Sequence, residues 1–411
     1  MKKREHGVSR RHFLKGAAAG LAAATIVPRH VLGGPNQIPP SESLGGALIG
    51  CGGRGPGTFS ELVKGFQGQG TEVVKLAQCD VKFADKADNK TIYSDFRRLL
   101  ERKDIDVVAI GTHPGWHAMI SIAAMEAGKD VVCEKPMCRF IAEGRAVVNA
   151  EKRFGRVFQI GTYGRFGANR QVHKIMASGL LKECKAVHID RGGLKVAEWS
   201  GMVNAKPQPV PKNLDWDMYC GAAPLRPYFP HRFGGTHRGY WDYEGGGLGD
   251  MGQHHLDGFN YAFAKDYTGP VSVEAYAPPA HPEACAMWGW SELTYADGLT
   301  LVLESREWGE PYTRKEPRGV SLADLSPEDQ KKLNAMPDPE PLLRFAEAVK
   351  QRKLSGGHAE AAQRTSTLMH LSNIAIRTGR KLRYDPVKEE IVGDEEANRL
   401  VYQPMRAPWH L

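Results

Sequence analysis

The chain has 411 residues, which is enough for two domains that each bury a hydrophobic core. Its composition, with 41% hydrophobic and 25% charged residues, is that of an ordinary soluble globular protein. Seven Lys and Arg residues fall within the first 30 positions, and the remaining 48 basic residues face 46 acidic ones. The net charge of +8 therefore belongs to the leader and gives no reason to expect a nucleic-acid-binding surface.

The leader has the pattern of an export signal. Paired arginines, Arg10 and Arg11, are followed by Phe-Leu-Lys and then by a short apolar run that is rich in alanine. This arrangement resembles a twin-arginine signal, which addresses folded proteins to the twin-arginine export machinery. We expect residues 1–33 to hold the signal and the start of a linker, and the protein to be periplasmic or otherwise exported. Because no clear cleavage site follows the run, an uncleaved membrane tether is an alternative.

Strand and helix patterns alternate along the next part of the chain. Apolar runs predict strands at 46–50, 72–78, 106–111 and 130–133, with helices at 58–65, 94–102 and 117–127 between them. Alternating units of this kind predict a parallel, doubly wound α/β sheet. We therefore expect a dinucleotide-binding Rossmann domain in residues 44–165.

The first strand is followed by a G-x-G-x-x-G motif. Such glycines allow a tight turn and a close approach of backbone N–H groups to a pyrophosphate. The second strand ends at Asp80, whose carboxylate can accept hydrogen bonds from ribose hydroxyls and would repel a 2′-phosphate. Asp80 favours NAD, while the nearby Lys82 leaves NADP as an alternative. The motif residues expected to bind the cofactor are Gly50, Gly52, Gly53, Arg54 and Gly55.

A Glu134-Lys135-Pro136 triplet follows the fourth strand. Ligands of such sheets bind beyond the carboxyl ends of the strands, so Lys135 is expected to project toward the nicotinamide. A lysine there can protonate or polarise a substrate oxygen. The alternative is an ordinary surface lysine in a turn.

The glycine motif, Thr112-His113-Pro114-x-x-His117, Glu134-Lys135-Pro136 and Gln159-Ile160-Gly161 together resemble one known family. It is the family of glucose-fructose oxidoreductase, inositol dehydrogenase and rhizopine catabolism proteins (Gfo/Idh/MocA), and the resemblance extends from about residue 46 to the C-terminus. It implies that Lys135 is catalytic and that Thr112, His117, Glu134 and Lys135 bind the cofactor.

The sequence departs from the family pattern at one position. Tyr163 stands where many members have Gln, whereas Arg165 is retained. Both residues are expected to contact the substrate, although the departure leaves the contacts at this turn open.

The C-terminal half has a different pattern. Alternating runs at 186–189, 271–275, 291–295 and 299–304 predict strands of a large, open, mostly antiparallel sheet in an α+β domain. Helical patterns follow at 341–353 and 360–378. We expect a substrate-binding and oligomerisation domain over 166–385 and a tail over 386–411. The resemblance implies a homodimer or homotetramer.

A glycine-rich turn at 245–249 leads into a predicted helix that carries Asp250 and His254. Four residues apart, they share one helix face, where an Asp can orient a His that removes a hydroxyl proton. The resemblance assigns these catalytic roles to both, and a surface or capping pair is the alternative. No metal is expected, because the adjacent His254 and His255 point about 100° apart on a helix.

Aromatic and long polar side chains around this helix suit a carbohydrate, whose apolar faces stack while its hydroxyls are hydrogen-bonded. Core packing explains the aromatic residues equally well. The expected substrate contacts in this region are Arg238, Tyr240, Trp241 and His255.

These features predict an NAD(P)-dependent oxidoreductase that transfers hydride to or from a sugar or polyol. Free NAD(H) is expected to be scarce outside the cytoplasm, so the cofactor is expected to be tightly bound. One alternative is a redox-neutral, NAD-dependent glycosidase, since exported N-acetylgalactosaminidases of this superfamily resemble the chain in their leader. A further alternative is a non-catalytic sugar-binding protein.

Overall fold

A computed structural model describes residues 43–162, 164–181, 186–190, 194 and 200–411. The leader and Tyr163 lie outside the described residues. Within the described residues, no helix has both the length and the apolar character needed to cross a membrane.

The N-terminal part contains a six-stranded sheet in which every paired neighbour is parallel. Its spatial order, β3-β2-β1-β4-β5-β6, reverses direction at β1 and β4, where ligands of such sheets bind. The prediction of a doubly wound Rossmann sheet is therefore confirmed. The strands are β1 (Ser43–Ile49), β2 (Glu72–Cys79), β3 (Ile92–Tyr93), β4 (Val107–Ile110), β5 (Asp130–Cys133) and β6 (Phe158–Ile160).

Four helices connect these strands and cover the two faces of the sheet. The first begins at Gly55, three residues earlier than predicted, because Pro56 occupies its first turn, where a missing N–H costs nothing. The fourth helix and strand β6 were not predicted. The helices are α1 (Gly55–Gln67), α2 (Phe96–Leu100), α3 (Pro114–Glu126) and α4 (Ile141–Phe154).

The C-terminal part contains a second six-stranded sheet in the order β12-β11-β8-β9-β10-β7. Its pairs are antiparallel except that β7 runs parallel to β10, so the expected open, mostly antiparallel sheet is confirmed. The strands are β7 (Ala186–Asp190), β8 (Ser272–Tyr276), β9 (Trp290–Thr294), β10 (Thr300–Glu304), β11 (Leu382–Asp385) and β12 (Glu390–Ile391).

One long helix, α10, links the two cores. Its residues from Ala359 to Ile376 are almost all buried, and it packs against α4 of the first domain and α7 and β8 of the second. Ala359 and Ala362 join the Rossmann core, whereas Leu368 and Met369 join the core of the second sheet. The helices of this half are α5 (Arg170–Ser178), α6 (Trp216–Cys220), α7 (Gly246–Ala262), α8 (Pro327–Ala335), α9 (Phe345–Gln351), α10 (Ala359–Thr378) and α11 (Glu395–Asn398).

Candidate active site

A cleft of about 530 Å³ lies at the carboxyl edge of the Rossmann sheet, between β1 and β4. Its walls come from the glycine motif, from the Glu134-Lys135 turn and from the start of α7. Most of the predicted cofactor residues and all three predicted catalytic residues therefore line one continuous space. Seven of them line the cofactor side or the turn beside it: Gly50, Gly52, Gly53, Arg54, Asp80, Thr112 and Glu134.

The glycine motif is held against the loop that follows β4. Gly50 has a φ of +87°, and a Cβ atom there would lie 2.5 Å from the carbonyl carbon of Gly111. A Cβ atom on Gly55 would lie 2.0 Å from the carbonyl oxygen of Gly50. Gly55 is thus a packing residue behind the cleft wall, whereas Gly52 and Gly53 face the cleft.

The start of α1 is suited to an anion. Arg54 is the N-cap residue, and its side chain makes no capping hydrogen bond in the described chain. The first turn also carries no acidic side chain among its described residues. Backbone N–H groups and the positive end of the helix dipole are therefore available to a pyrophosphate, which is the fit that a dinucleotide requires.

Asp80 directly follows β2 and lines the cleft. One of its carboxylate oxygens accepts a hydrogen bond from Cys51 N at 2.8 Å, and the other accepts one from Lys82 N at 2.9 Å. Each oxygen keeps a lone pair that can accept a ribose hydroxyl. A Cβ atom on Gly52 would lie 3.4 Å from Lys82 Nζ, so the ammonium group is close to the same part of the cleft.

Glu134 joins the turn after β5 to α1. Its Oε1 atom accepts a hydrogen bond from Thr58 Oγ1 at 2.5 Å and lies 3.3 Å from Arg54 Nε. Burial raises the pKa of Glu134 despite these partners. The residue therefore holds the two loops on either side of the cofactor cleft together.

Lys135 and Asp250 meet in the cleft. Lys135 Nζ donates to Asp250 Oδ1 at 2.7 Å and to the Asp250 carbonyl oxygen at 2.9 Å. Arg238 Nε lies 3.0 Å from the same Oδ1 atom. Burial acts to raise the pKa of Asp250, but the charges of Lys135 and Arg238 outweigh it and hold the pKa below its usual value. Asp250 is therefore a carboxylate that fixes Lys135.

His254 lines the same cleft one helical turn after Asp250. Burial, together with the charge of Lys135, lowers the pKa of His254 to about 4. The ring is therefore neutral near pH 7 and can accept a proton. The expected hydrogen bond between Asp250 and His254 is not among the contacts of these two described residues, and Asp250 Oδ1 is instead contacted by Lys135 and Arg238.

His117 lies behind the cleft. It is buried, and its ring nitrogens lie 2.6 Å from the Pro136 carbonyl oxygen and 2.9 Å from the Thr112 carbonyl oxygen. Thr112 and His117 were both predicted to bind the cofactor, and of the two only Thr112 lines the cleft. His117 instead ties the loop after β4 to the turn that carries Lys135.

Among the expected substrate residues that the structure describes, only Arg238 lines the cleft. Arg165 is buried, where its guanidinium lies 2.7 Å from Asp257 Oδ1 and 3.0 Å from Asp266 Oδ2. Two acidic partners that are distant in sequence thus hold it in the core rather than in the cleft.

The three remaining predicted contacts also lie outside the cleft wall. Tyr240 is fully buried, and its hydroxyl accepts a hydrogen bond from Met202 N at 3.0 Å. Trp241 Nε1 donates to the His281 carbonyl oxygen at 2.9 Å. His255 follows His254 on α7 but faces another direction, as expected for adjacent helical residues. Within the described residues, no group of three or more His, Cys, Asp or Glu side chains is arranged to hold a metal.

A segment that was not predicted to touch the cofactor supplies part of the cleft wall. We call residues 214–238 the strap. Its Met218 carbonyl accepts a hydrogen bond from Trp116 Nε1 at 2.9 Å, and its Tyr219 carbonyl contacts His113 Nε2 at 2.8 Å. The strap residues in the cleft wall are Met218, Tyr219, Phe233, Gly234, Gly235, His237 and Arg238.

The C-terminal tail fastens the strap from outside. Arg406 Nη1 lies 2.7 Å from Asp217 Oδ1, and its Nε donates to the carbonyl oxygens of Gly221 and Ala223. Trp409 packs edge-on against Trp116 with ring centroids 4.7 Å apart. In the sequence this region is marked by its aromatic residues. Those residues fit the wall of a ligand site and core packing equally well, so the sequence could not distinguish the two.

Two protein-family descriptions match the chain, one over each of the two domains described above. Residues 44–162 match the NAD-binding Rossmann fold of an oxidoreductase family, and residues 167–411 match the C-terminal alpha/beta domain of that family. The chain belongs to the Gfo/Idh/MocA oxidoreductase family. Its N-terminal domain is accordingly an NAD-binding Rossmann domain, and residues 7–27 match a twin-arginine translocation signal, which indicates export.

Curated relatives match parts of the chain. Inositol 2-dehydrogenase of Salmonella typhimurium is 34% identical over 131 residues, which are 29% of this chain and 38% of that protein. Alpha-N-acetylgalactosaminidase of Shewanella oneidensis is 28% identical over 175 residues, 36% of this chain and 38% of that protein. The chain thus spans less than two thirds of the length of these relatives.

A solved structure agrees with the fold over most of the chain. The WlbA dehydrogenase of Bordetella pertussis, in complex with NADH and UDP-GlcNAcA, has a TM-score of 0.53 at 16% identity. The match covers 84% of this chain and 98% of that one. At this identity the similarity establishes the two-domain fold alone.

Proposed function

We propose that the protein transfers hydride between a tightly bound NAD and a hydroxyl-bearing carbon of a sugar or polyol. The observation that carries this proposal is the convergence of Lys135, Asp250 and His254 on the cleft that the glycine motif also lines. A dinucleotide in the cleft supplies the hydride acceptor or donor. The substrate class is supported by the inositol and galactosaminide relatives.

The side chains have distinct roles in this reaction. Lys135, held by Asp250, donates a hydrogen bond to the substrate oxygen and stabilises the negative charge that develops on it. His254, which is neutral, removes the hydroxyl proton in the oxidative direction and returns it in the reverse direction. Asp250 positions the ammonium group of Lys135 rather than the ring of His254.

The strap supports tight retention of the cofactor. It lines the cleft and is bound to the Rossmann domain through Trp116, His113 and Val81. Asp217 is in turn held by Arg406 of the tail. A dinucleotide bound beneath it leaves only when these contacts open, and this suits a protein that is exported with its cofactor to the periplasm.

NAD is proposed over NADP because Asp80 would repel a 2′-phosphate, while the nearby Lys82 would favour NADP. Assembly as a homodimer or homotetramer is also proposed, from family resemblance.

A second candidate is favoured by one observation, the similarity to glycosyl hydrolase family 109 and to an alpha-N-acetylgalactosaminidase. In that function a glycoside hydroxyl would be oxidised transiently by hydride transfer to the dinucleotide, the aglycone would be eliminated, water would add, and the hydride would be returned. The same residues would move the protons.

One experiment tests both functions. Holoprotein is mixed with D-glucose, myo-inositol and 4-nitrophenyl α-N-acetylgalactosaminide while absorbance at the NADH and nitrophenol wavelengths is followed. Hydride transfer predicts NADH formation with a free sugar or polyol and no nitrophenol. Release of nitrophenol without net NADH formation would establish the glycosidase and refute the oxidoreductase.

A further inference from the structure

The cofactor cleft extends past Asp80 on the side of the sheet away from Lys135. In the order β3-β2-β1-β4-β5, the glycine motif follows β1, Lys135 follows β5 and Asp80 follows β2. A dinucleotide with its pyrophosphate at the start of α1 and its nicotinamide beside Lys135 therefore directs its adenosine half past Asp80, toward the start of α2. The residues that line the cleft there are Val81, Ser94, Phe96, Trp116 and Ile120.

This end of the cleft has the composition of a purine site. The rings of Phe96 and Trp116 lie 5.3 Å apart at 66°, so α2 and α3 together supply an aromatic wall. Val81 and Ile120 add apolar surface, and Ser94 adds a hydroxyl. A planar heterocycle packs its faces on aromatic and aliphatic side chains and uses a few polar groups at its edge. The adenine ring of the dinucleotide fits this description.

Trp116 is held by two segments from outside the Rossmann domain. Its Nε1 donates to the Met218 carbonyl oxygen of the strap at 2.9 Å. A Cβ atom on Gly221 would lie 2.5 Å from the Trp116 ring, so the strap backbone lies directly against that ring. Trp409 of the C-terminal tail packs edge-on against it, with ring centroids 4.7 Å apart. The strap and the tail therefore set the orientation of Trp116.

Trp409 contacts both aromatic residues of the wall. Its ring is stacked at 29° on that of Phe96, with centroids 6.4 Å apart, and the guanidinium of Arg97 lies 5.0 Å from the Trp409 ring centroid. The Trp409 N–H donates to the carbonyl oxygen of Arg406, the residue that fastens the tail to the strap. Trp409 does not itself line the described cleft, so it supports the wall from behind.

We propose that the C-terminal tail completes the adenine end of the cofactor site, with Trp409 as a positioning residue that holds Phe96 and Trp116 against the purine. The ligand is the adenylate half of the dinucleotide. The inference rests on the NAD-binding domain and on these ring contacts. It does not depend on which substrate exchanges hydride with the cofactor.

The test compares the two halves of the cofactor. Kd values for NAD, AMP and NMN are measured by calorimetry on the full chain after removal of its dinucleotide. In Trp409→Ala we expect AMP and NAD to bind about tenfold more weakly, because the aromatic wall loses its support. NMN should bind within about twofold of wild type, since the nicotinamide end lies beside Lys135. A merely structural defect would instead weaken AMP and NMN equally.

Two further variants control for the loss of a large side chain. Trp409→Phe keeps an aromatic ring and should restore AMP affinity to within about threefold of wild type. Trp308→Ala removes a half-buried tryptophan that packs on Tyr276 in the C-terminal domain, and it should change neither affinity. Wild-type AMP affinity in Trp409→Ala, or an equal loss of AMP and NMN affinity, would overturn the proposal.

A measurement on the wild-type protein does not depend on the folding of a variant. NAD that carries a photoreactive azide on its adenine ring is bound and irradiated, and the labelled peptides are identified. We expect label on the peptides that contain Phe96 or Trp116. Label confined to α7 or to the Lys135 turn would place the adenine at the other end of the cleft and contradict the proposal. Neither measurement involves sugar turnover, so its failure is distinguishable from failure of the proposed reaction.

Discussion

Lys135 Nζ lies 2.7 Å from Asp250 Oδ1, and this ion pair connects the turn after β5 of the Rossmann domain to α7 of the C-terminal domain. The two side chains are 11% and 6% exposed. The geometry of the proposed catalytic lysine thus depends on a residue 115 positions away, in the other domain.

Replacement of Asp250 tests this dependence. Asp250→Asn keeps the shape of the side chain but removes the charge that holds Lys135, so kcat should fall on the order of 10²-fold with NAD still bound. Steady-state kinetics and the NAD content of the purified variant measure the two effects. Asp242→Asn is the control in the same region, because Asp242 pairs with Arg226 and does not line the cleft. Wild-type kcat in Asp250→Asn would show that the lysine needs no such partner.

The pH dependence should report His254. Its folded-state pKa of about 4 lies below the ordinary value of 6.5, so the ring stays neutral and able to accept a proton until the solution is quite acidic. We expect the acid limb of the oxidative kcat/KM profile to fall at about pH 4–5. The unfolded state binds the proton first, so this group also destabilises the fold as pH falls from 6.5 toward 4. An acid limb at pH 6.5 that disappears in His254→Gln would contradict this assignment of the ring's environment.

Cofactor choice should depend on Asp80. In Asp80→Ser the repulsion of a 2′-phosphate is removed while Lys82 remains, so the ratio of NAD to NADP affinity should fall by at least about tenfold. Refolding or exchange in the presence of each cofactor, followed by quantification of the bound dinucleotide, measures this ratio. Asp85→Ser, at an exposed position after β2, is the control. An unchanged ratio would exclude Asp80 as the discriminating residue.

Cofactor retention should depend on the tail. Arg406→Ala removes the contact to Asp217 and the hydrogen bonds to Gly221 and Ala223, so NAD should dissociate roughly tenfold faster if about 1.4 kcal/mol of strap closure is lost. Dissociation is followed by trapping of the released NAD with a coupled enzyme. Arg399→Ala, elsewhere in the C-terminal region, should leave the rate unchanged. Equal rates for wild type and Arg406→Ala would mean that the strap does not govern release.

The features that could be predicted from the sequence depend on residues that lie close together in the chain. The glycine motif, Asp80 at the end of a strand, the Glu134-Lys135 turn and the Asp250/His254 spacing each follow from local geometry. Once the parallel order of the strands is given, the glycine motif, Asp80 and the Glu134-Lys135 turn fall at one sheet edge. Asp250 and His254 instead reach that edge on α7 of the other domain. That is why the fold class and the position of the cleft could be predicted.

The features that could not be predicted depend on partners that are far apart in sequence. Arg165 lies in the core because Asp257 and Asp266 neutralise it there. Tyr240 is buried because Met202 and His231 satisfy its hydroxyl. Conversely, Glu244 lines the cleft just before α7, although no motif in the sequence singled it out. Its position beside the predicted catalytic helix was the signal that could have drawn attention to it.

The central claim is tested most directly by NADH formation in a single turnover of the holoprotein. Wild type and Lys135→Met are purified with their NAD and mixed with myo-inositol or D-glucose, and absorbance at the NADH wavelength is recorded. The wild type should form up to one NADH per bound NAD with at least one of these sugars, and Lys135→Met should retain its NAD but react about 10²–10⁴-fold more slowly. Equal rates of NADH formation in the two proteins would contradict the assignment of Lys135 and the account of the site built around it.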